Sequence, residues 1–403
     1  MTKYKTENWF TSPWNFYKDV TENINFSDNI KLHDITLRDG EQQAGVFFNP
    51  SEKIRLVEKM NEMGIHRIEA GMPAVSKQNK DIIKKICKKN LDLDIFAFSR
   101  CMKEDVKHAV DCGVDGIVIE IPSSEHIIKT AYKWPLEKAI NLAIEATEYA
   151  HKQGLYVVFF PIDGSRAEMN WFIDLIKKVA NEGHMDALGL VDTFGACSPH
   201  SIPFLVNKIK EEIDKPLEAH FHNDFGLGTA NTLMALASGV EVAHTTISGI
   251  GERAGNVAYE ELATALLTMY NIDLNLEYNK MYELSQFMRN AADIPLANNQ
   301  AIIGNTLFNI ESGIIASWYK NCENNNPLEL TPIKPEFVGQ KAQVVLGKNS
   351  GIDSIKLYLD KLDIDSTEKE ELKILEIVKK ESSKNEKLLS EKEFLNIVKQ
   401  VIN

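Results

Sequence analysis

Cysteine is scarce and unpatterned in this chain. The five (Cys87, Cys101, Cys112, Cys197 and Cys322) are scattered through 403 residues without a CxxC pair. That argues against a disulfide framework and fits reduced thiols in a cytosolic protein. No run of 18 apolar residues occurs, so no membrane span is expected. The opening Met1-Thr2-Lys3-Tyr4-Lys5 leads into polar and aromatic residues where a signal peptide would have an apolar stretch. Positive charge is in deficit: 45 basic residues face 58 acidic ones, a net charge of −13, which disfavours a nucleic-acid partner. Low-complexity tracts are missing, and histidine is absent beyond His244. The expectation is a cytoplasmic protein with neither membrane nor nucleic-acid contacts.

What is present is a repeating alternation. A 44% hydrophobic fraction is that of an ordinary globular protein. Short apolar runs read as strands at Lys31–Thr36, His66–Ala70, Asp94–Phe98, Gly116–Ile121, Leu155–Pro161, Ala187–Val191, Leu217–His222 and Val240–Ser248. Between them lie amphipathic stretches with helical period, from Ser51–Met63 through Pro135–Gln153 to Val257–Met269. Eight strands alternating with eight helices over about 240 residues is the count and length of a (β/α)8 TIM barrel. Arg38, Asp39, Glu69, Glu120, Asp163, Asp192, Thr193, His220 and His222 all fall at or just past strand C-termini, the face on which barrel enzymes build their sites.

The expected organisation is therefore an aromatic N-terminal arm over residues 1–28, a catalytic barrel over 29–275, a linker subdomain over 276–345 and a second, mainly helical subdomain over 346–403. The arm holds Trp9, Phe10, Trp14, Phe16 and Tyr17, which suit local hydrophobic cover on the barrel or a partner subunit. Its charged counterparts at the other end, Glu368–Glu371 and Lys379–Lys387, read as solvated helix faces.

His220 and His222 follow an apolar run at spacing two, so on a strand both imidazoles point to one face and can reach one cation. Asp39 is the natural anionic third ligand, because the first and seventh strands of an eight-strand ring lie two apart. Such a mixed N/O set suits Zn²⁺, Mn²⁺, Co²⁺ or Mg²⁺. Arg38 beside it can hold a carboxylate or polarise an oxygen that develops charge. Gln42 shares the Arg38 loop. The glycine-rich Gly249-Ile250-Gly251-Glu252-Arg253-Ala254-Gly255-Asn256 opens a helix and can bring backbone N–H groups to an anion, although it lacks the Lys-Ser or Lys-Thr ending of a P-loop. Glu69 and Glu120 can act as acid/base groups or pair with Arg38, and Thr193 can bond a substrate carboxylate.

Asp34–Gln42, His220–Asp224 with Gly226-Leu227, and Gly249–Asn256 together resemble the DRE-TIM metallolyase superfamily, in its acyl-CoA-dependent synthase branch. That branch includes 2-isopropylmalate, homocitrate and citramalate synthases. Weaker echoes are Asp192–Gly195, Glu311–Ile314 and Leu346–Gly351. The resemblance implies a homodimer that uses a divalent metal, with acetyl-CoA as co-substrate and a 2-oxo acid as acceptor. It implies metal ligation by Asp39, His220 and His222, with Asn256 in or near the coordination sphere. By the same resemblance Arg38 polarises the ketone and Thr193 helps hold the carboxylate, while Gln42, Gly251 and Asn256, from loops on the same face, are further candidates for substrate contact.

Two departures leave the acceptor and the general base open. Histidines common in the family's later segments are replaced here by Ile310, Ile315 and Asn349, so Glu311, Tyr319 or a barrel group such as Glu69 would have to serve as base. Phe159–Arg166 departs from the family's Phe-Ser-x-Glu-Asp pattern where substrate is contacted. The competing readings are a 3-hydroxyacyl-CoA lyase of the 3-hydroxy-3-methylglutaryl-CoA type and a non-catalytic metal-binding relative. Gly249–Asn256 lacks the cysteine that such lyases carry in this loop.

Overall fold

In the computed structural model, which describes residues 2–322 and 326–402, eight parallel strands close on themselves in sequence order. They are β1 (Lys31–Asp34), β2 (Arg67–Glu69), β3 (Asp94–Arg100), β4 (Gly116–Pro122), β5 (Tyr156–Ile162), β6 (Ala187–Asp192), β7 (Leu217–Phe221) and β8 (Val242–Thr245). Closure is made by β1 against β8, with Leu32 opposite Ala243 and His33 opposite His244. A helix returns the chain after each strand, which is the TIM barrel expected from the alternation.

Local chemistry sets the helix limits. Asn49 accepts the N–H groups of Ser51 and Glu52, Glu52 bonds back, and Pro50 occupies the first turn, so the helix Pro50–Met63 starts there. It stops at Gly64, whose left-handed φ of 88° few other residues adopt cheaply. Four strands are shorter than the apolar runs suggest, β1 stopping at Asp34 and β2 spanning only Arg67–Glu69. β7 ends at Phe221, because His222 leaves the ladder for an isolated bridge with Asn256. β8 covers only Val242–Thr245, because the chain turns at Ile247–Gly249 with Ser248 at φ 58°.

The barrel interior is divided. Phe96, Phe98, Val118, Val158, Phe160, Ala187 and Val191 fill the β3–β6 side with apolar volume. The opposite side, from β7 and β8 to β1 and β2, buries Glu218, His220, His244, His33, Arg67 and Glu69. These polar groups pair with one another: Arg67 donates to Glu218 at 2.8 Å and His244 lies 2.8 Å from the same carboxylate. Burying charge costs several kcal/mol per ion unless it is paired, so each guanidinium here needs its carboxylate.

The contacts divide the chain into two compact units, and the barrel unit is Phe16–Pro295. The other joins residues up to Asn15 with Leu296 onward. In it, Asn309–Ile310 pairs with Gln343–Val344, and the helices Ile352–Lys361, Glu368–Asn385 and Glu391–Val401 enclose Leu346, Ile355, Leu359, Ile374, Val378, Phe394 and Val398. The aromatic arm contributes Trp9, which bridges Ile333 and sits 5.9 Å from the Phe337 ring. Glu368–Glu371 opens a helix capped reciprocally by Thr367 and Glu370. The sequence over 321–335 reads as loop-rich, and residues 323–325 of it lie outside the described residues. No helix among the described residues is long and apolar enough to cross a membrane.

Candidate active site

At the C-terminal face of the barrel the two imidazoles converge as their spacing requires. His220 Nε2 and His222 Nε2 are 3.3 Å apart, and Asp39 Oδ2 lies 3.9 Å from the first and 3.8 Å from the second. Three atoms so spaced share a centre roughly 2.1 Å from each, which is a metal–ligand length. All three side chains are buried, and the Nδ1 atoms of both histidines meet no partner among the described residues. Burial, followed by the neighbouring His222, His244 and Arg38, pushes the His220 imidazole well below its ordinary pKa. Burial likewise lowers His222, against the opposing pull of Asp39. Neutral imidazoles with exposed lone pairs are the form that ligates a metal. The donor chemistry therefore fits a divalent cation.

Arg38 is held from two sides. Its Nε and Nη2 donate to Glu69 at 2.6 and 3.3 Å, and its Nη1 donates to Asp39 at 2.6 Å. The guanidinium also lies 4.0 Å over the Phe98 ring. Burial disfavours its charge, but Glu69, Asp39 and Glu120 outweigh burial and keep it protonated. For Asp39, burial presses the pKa up while Arg38, His222 and Asn256 bring it below the ordinary carboxylate range. These contacts engage three of Arg38's five N–H groups, and the remaining ones can reach a substrate oxygen.

The glycine loop reaches back to the same carboxylate. Asn256 Nδ2 donates to Asp39 Oδ1 at 2.7 Å and to the Ile250 carbonyl at 3.2 Å, while its Oδ1 meets no partner among the described residues. Gly251 is demanded by space: a Cβ there would stand 2.9 Å from Asp39 Oδ1 and closer still to Asn256 Nδ2, at a φ of +149°. The Gly251 N–H donates to Gln43 at 3.3 Å, so the neighbour of the expected Gln42 is the one that touches this loop. Gln42 itself lies exposed at the rim of a small cavity with Leu37, Arg38, Gly71 and Met72.

Thr193 follows β6. Its hydroxyl accepts the Asp163 N–H at 2.8 Å and its carbonyl accepts from Arg253. Arg253 pairs with Asp224 at 2.9 Å. Asp192 is tied to Ser165 at 2.6 Å and to the N–H groups of Ala196 and Cys197, so it braces the loop after β6. Glu311 belongs to the other unit, where it accepts the Asn349 N–H at 3.0 Å. Reading along the chain did not single out Arg253, Gln43 or the interior His33, Arg67 and Glu218. The last three fall on strands at alternate positions where barrels normally carry branched aliphatics, and that substitution was the available signal. Two further groups have ligand atoms close enough to share a cation: His33, Glu218 and His244 inside the barrel, and His151, His184 and Asp186 near the surface.

A model of the HMGL-like family matches residues 29–288. A 2-isopropylmalate synthase of Methanocaldococcus jannaschii is 40% identical over 348 residues, 86% of this chain and 66% of that protein, so the chain spans just under two thirds of that relative. The homocitrate synthase AksA of Methanothermobacter thermautotrophicus is 36% identical over 393 residues, 98% of each chain. Among solved structures, the HMG-CoA lyase of Bacillus subtilis aligns at a TM-score of 0.61 with 19% identity, covering 68% of this chain and 97% of that one. At that identity the likeness concerns the fold alone. The chain belongs to the HMGL-like family of DRE-TIM barrels.

Proposed function

We propose that this protein condenses the acetyl group of acetyl-CoA with a 2-oxo acid and hydrolyses the thioester, releasing a 2-hydroxy di- or tricarboxylate. The observation that carries this reading is the convergence of Asp39, His220 and His222 beside the doubly paired Arg38. It is supported by relatives named for synthases of this kind, although their names differ in the acceptor. Within that product class lie the isopropylmalate, homocitrate and citramalate types that name the relatives, and the Re-citrate type that shares the same chemistry.

Asp39, His220 and His222 would hold a divalent metal, with Asn256 Oδ1 turned to it or to substrate. The metal would supply Lewis-acid polarisation and a fixed point for a 2-oxo acid. Arg38 directs its remaining N–H groups at the ketone oxygen, where negative charge develops as the new C–C bond forms. Glu69 holds the guanidinium in place and does not touch substrate. Thr193, fixed through Asp163 and Arg253, presents the edge of β6 to the acceptor carboxylate. Gly251 leaves the room that a side chain would take from Asp39 and Asn256.

The test is thiol release from acetyl-CoA by purified protein with Mn²⁺ and a panel of 2-oxo acids. Release that depends on one 2-oxo acid is expected. Silence across the panel together with cleavage of a 3-hydroxyacyl-CoA would overturn the reading.

A further inference from the structure

Condensation needs a base for the methyl proton of the thioester, and Glu69, Asp192 and Asp224 on this face are already spent on other contacts. Both oxygens of Glu69 accept from Arg38, Asp192 is bonded to its own loop, and Asp224 faces Arg253. One imidazole on this face is differently placed. His126 stands in the loop after β4 with its side chain 51% exposed, and its Nε2 lies 3.3 Å from Asp163 Oδ2, whose side chain is fully buried.

Asp163 is fixed from every side. Arg166 donates to its Oδ1 at 2.6 Å and its Oδ2 at 3.0 Å, and Ser124 Oγ donates to Oδ2 at 2.5 Å. Its backbone is left-handed, at φ 61° and ψ 26°, and its N–H is spent on Thr193 Oγ1. A strained non-glycine residue persists only where its surroundings over-determine it. The contacts continue without a break toward the metal ligands: His126 to Asp163, Asp163 to Thr193, Thr193 to Arg253, and Arg253 to Asp224, two residues past His222.

We propose that His126, oriented by Asp163, is the general base of the condensation, a role that rests on the function proposed above. The Asp163 carboxylate 3.3 Å from Nε2 favours the tautomer with its proton on that nitrogen, which leaves the Nδ1 lone pair to accept a proton from the acetyl methyl group. The C–H bond breaks and its electron pair becomes the enolate. The enolate carbon then bonds the ketone carbon, and the carbonyl π pair moves onto oxygen, which takes a proton from solvent. The imidazolium returns its proton to solvent, and water hydrolyses the thioester to a carboxylate and free thiol.

His126→Ala and His126→Gln are compared with the full-length enzyme, each loaded with Mn²⁺. Expected is a fall in kcat of about 100-fold or more, with KM for the 2-oxo acid, metal content and melting temperature unchanged. Added imidazole should restore part of the rate to the alanine variant. Solvent deuterium should enter the acetyl-CoA methyl group with the parent enzyme and not with either variant. If both variants keep kcat within about threefold, or still exchange the methyl protons, the base assignment falls and the condensation stands. If the parent enzyme releases no thiol with any 2-oxo acid, the condensation reading fails and this one fails with it.

Discussion

Arg38 and Glu69 meet side-on through two hydrogen bonds, at 2.6 and 3.3 Å, although the chain carries them on different strands' ends and neither is open to solvent. Removing one partner strands the other. Glu69→Ala leaves a buried guanidinium with Asp39 as its remaining hydrogen-bonded anion, and losses of about 3–5 kcal/mol accompany such broken pairs. Calorimetry of Glu69→Ala should show a melting temperature several degrees lower. A shift below about one degree would show the pair to be dispensable.

Metal removal should loosen the same face. A chelated sample is expected to melt lower than one with Mn²⁺ restored, because a ligand at 100 times its Kd adds about 2.7 kcal/mol. His222→Ala should retain no stoichiometric metal by elemental analysis and should lose turnover with it. Full metal content in that variant would remove His222 from the ligand set.

Gly251→Ala tests the cradle. The new methyl would press on Asp39 and Asn256 from a backbone conformation that alanine rarely adopts. Weaker metal retention and a kcat at least tenfold lower are expected, for an off-target shift of the reacting groups of this kind is costly. Wild-type kinetics in Gly251→Ala would mean the loop relaxes freely.

A buried carboxyl should give stability a pH dependence. Burial raises Glu260 to about 7, against the bonds from Ser285 and the Ser248 N–H that lower it. The folded state therefore binds a proton that the unfolded state has released over the range between the ordinary glutamate pKa and about 7. Glu260 contributes most below the lower value, and its contribution is lost as pH rises through the upper one. Asp34, also raised to about 7 by burial, acts in the same direction. Glu260→Gln should flatten the fall in melting temperature between pH 5 and 8, by a few degrees at the alkaline end. An unchanged slope would place the titration elsewhere.

The barrel could be read along the chain because its rule is local: apolar runs of strand length alternate with helical period, and sequence order equals strand order. His220 and His222 were legible for the same reason, since period two puts them on one face. Asp39 followed from ring arithmetic once a barrel was assumed. What lay beyond reading were contacts that loops alone create. His126 and Asp163 sit in consecutive loops of different conformation, one leading into a π-helical turn and the other left-handed at φ 61°. Periodicity carries no information there. The grouping of residues up to Asn15 with the C-terminal unit, while Phe16 and Tyr17 stay with the barrel, was equally hidden, because the bridge between Trp9 and Ile333 follows no pattern in the sequence.

Asp39 and Asn256 share a hydrogen bond across 217 residues of chain. A cation held by Asp39 and the β7 histidines would clasp the first strand of the barrel to its second-last. With that ligand set the amino-terminal half would lack a complete coordination sphere during synthesis, and metal would not template early steps. It would act only once the last strands dock, as a latch on a ring already formed. Loop-closure entropy grows slowly with length, so a clasp this distant holds back unfolding of nearly the whole barrel at once.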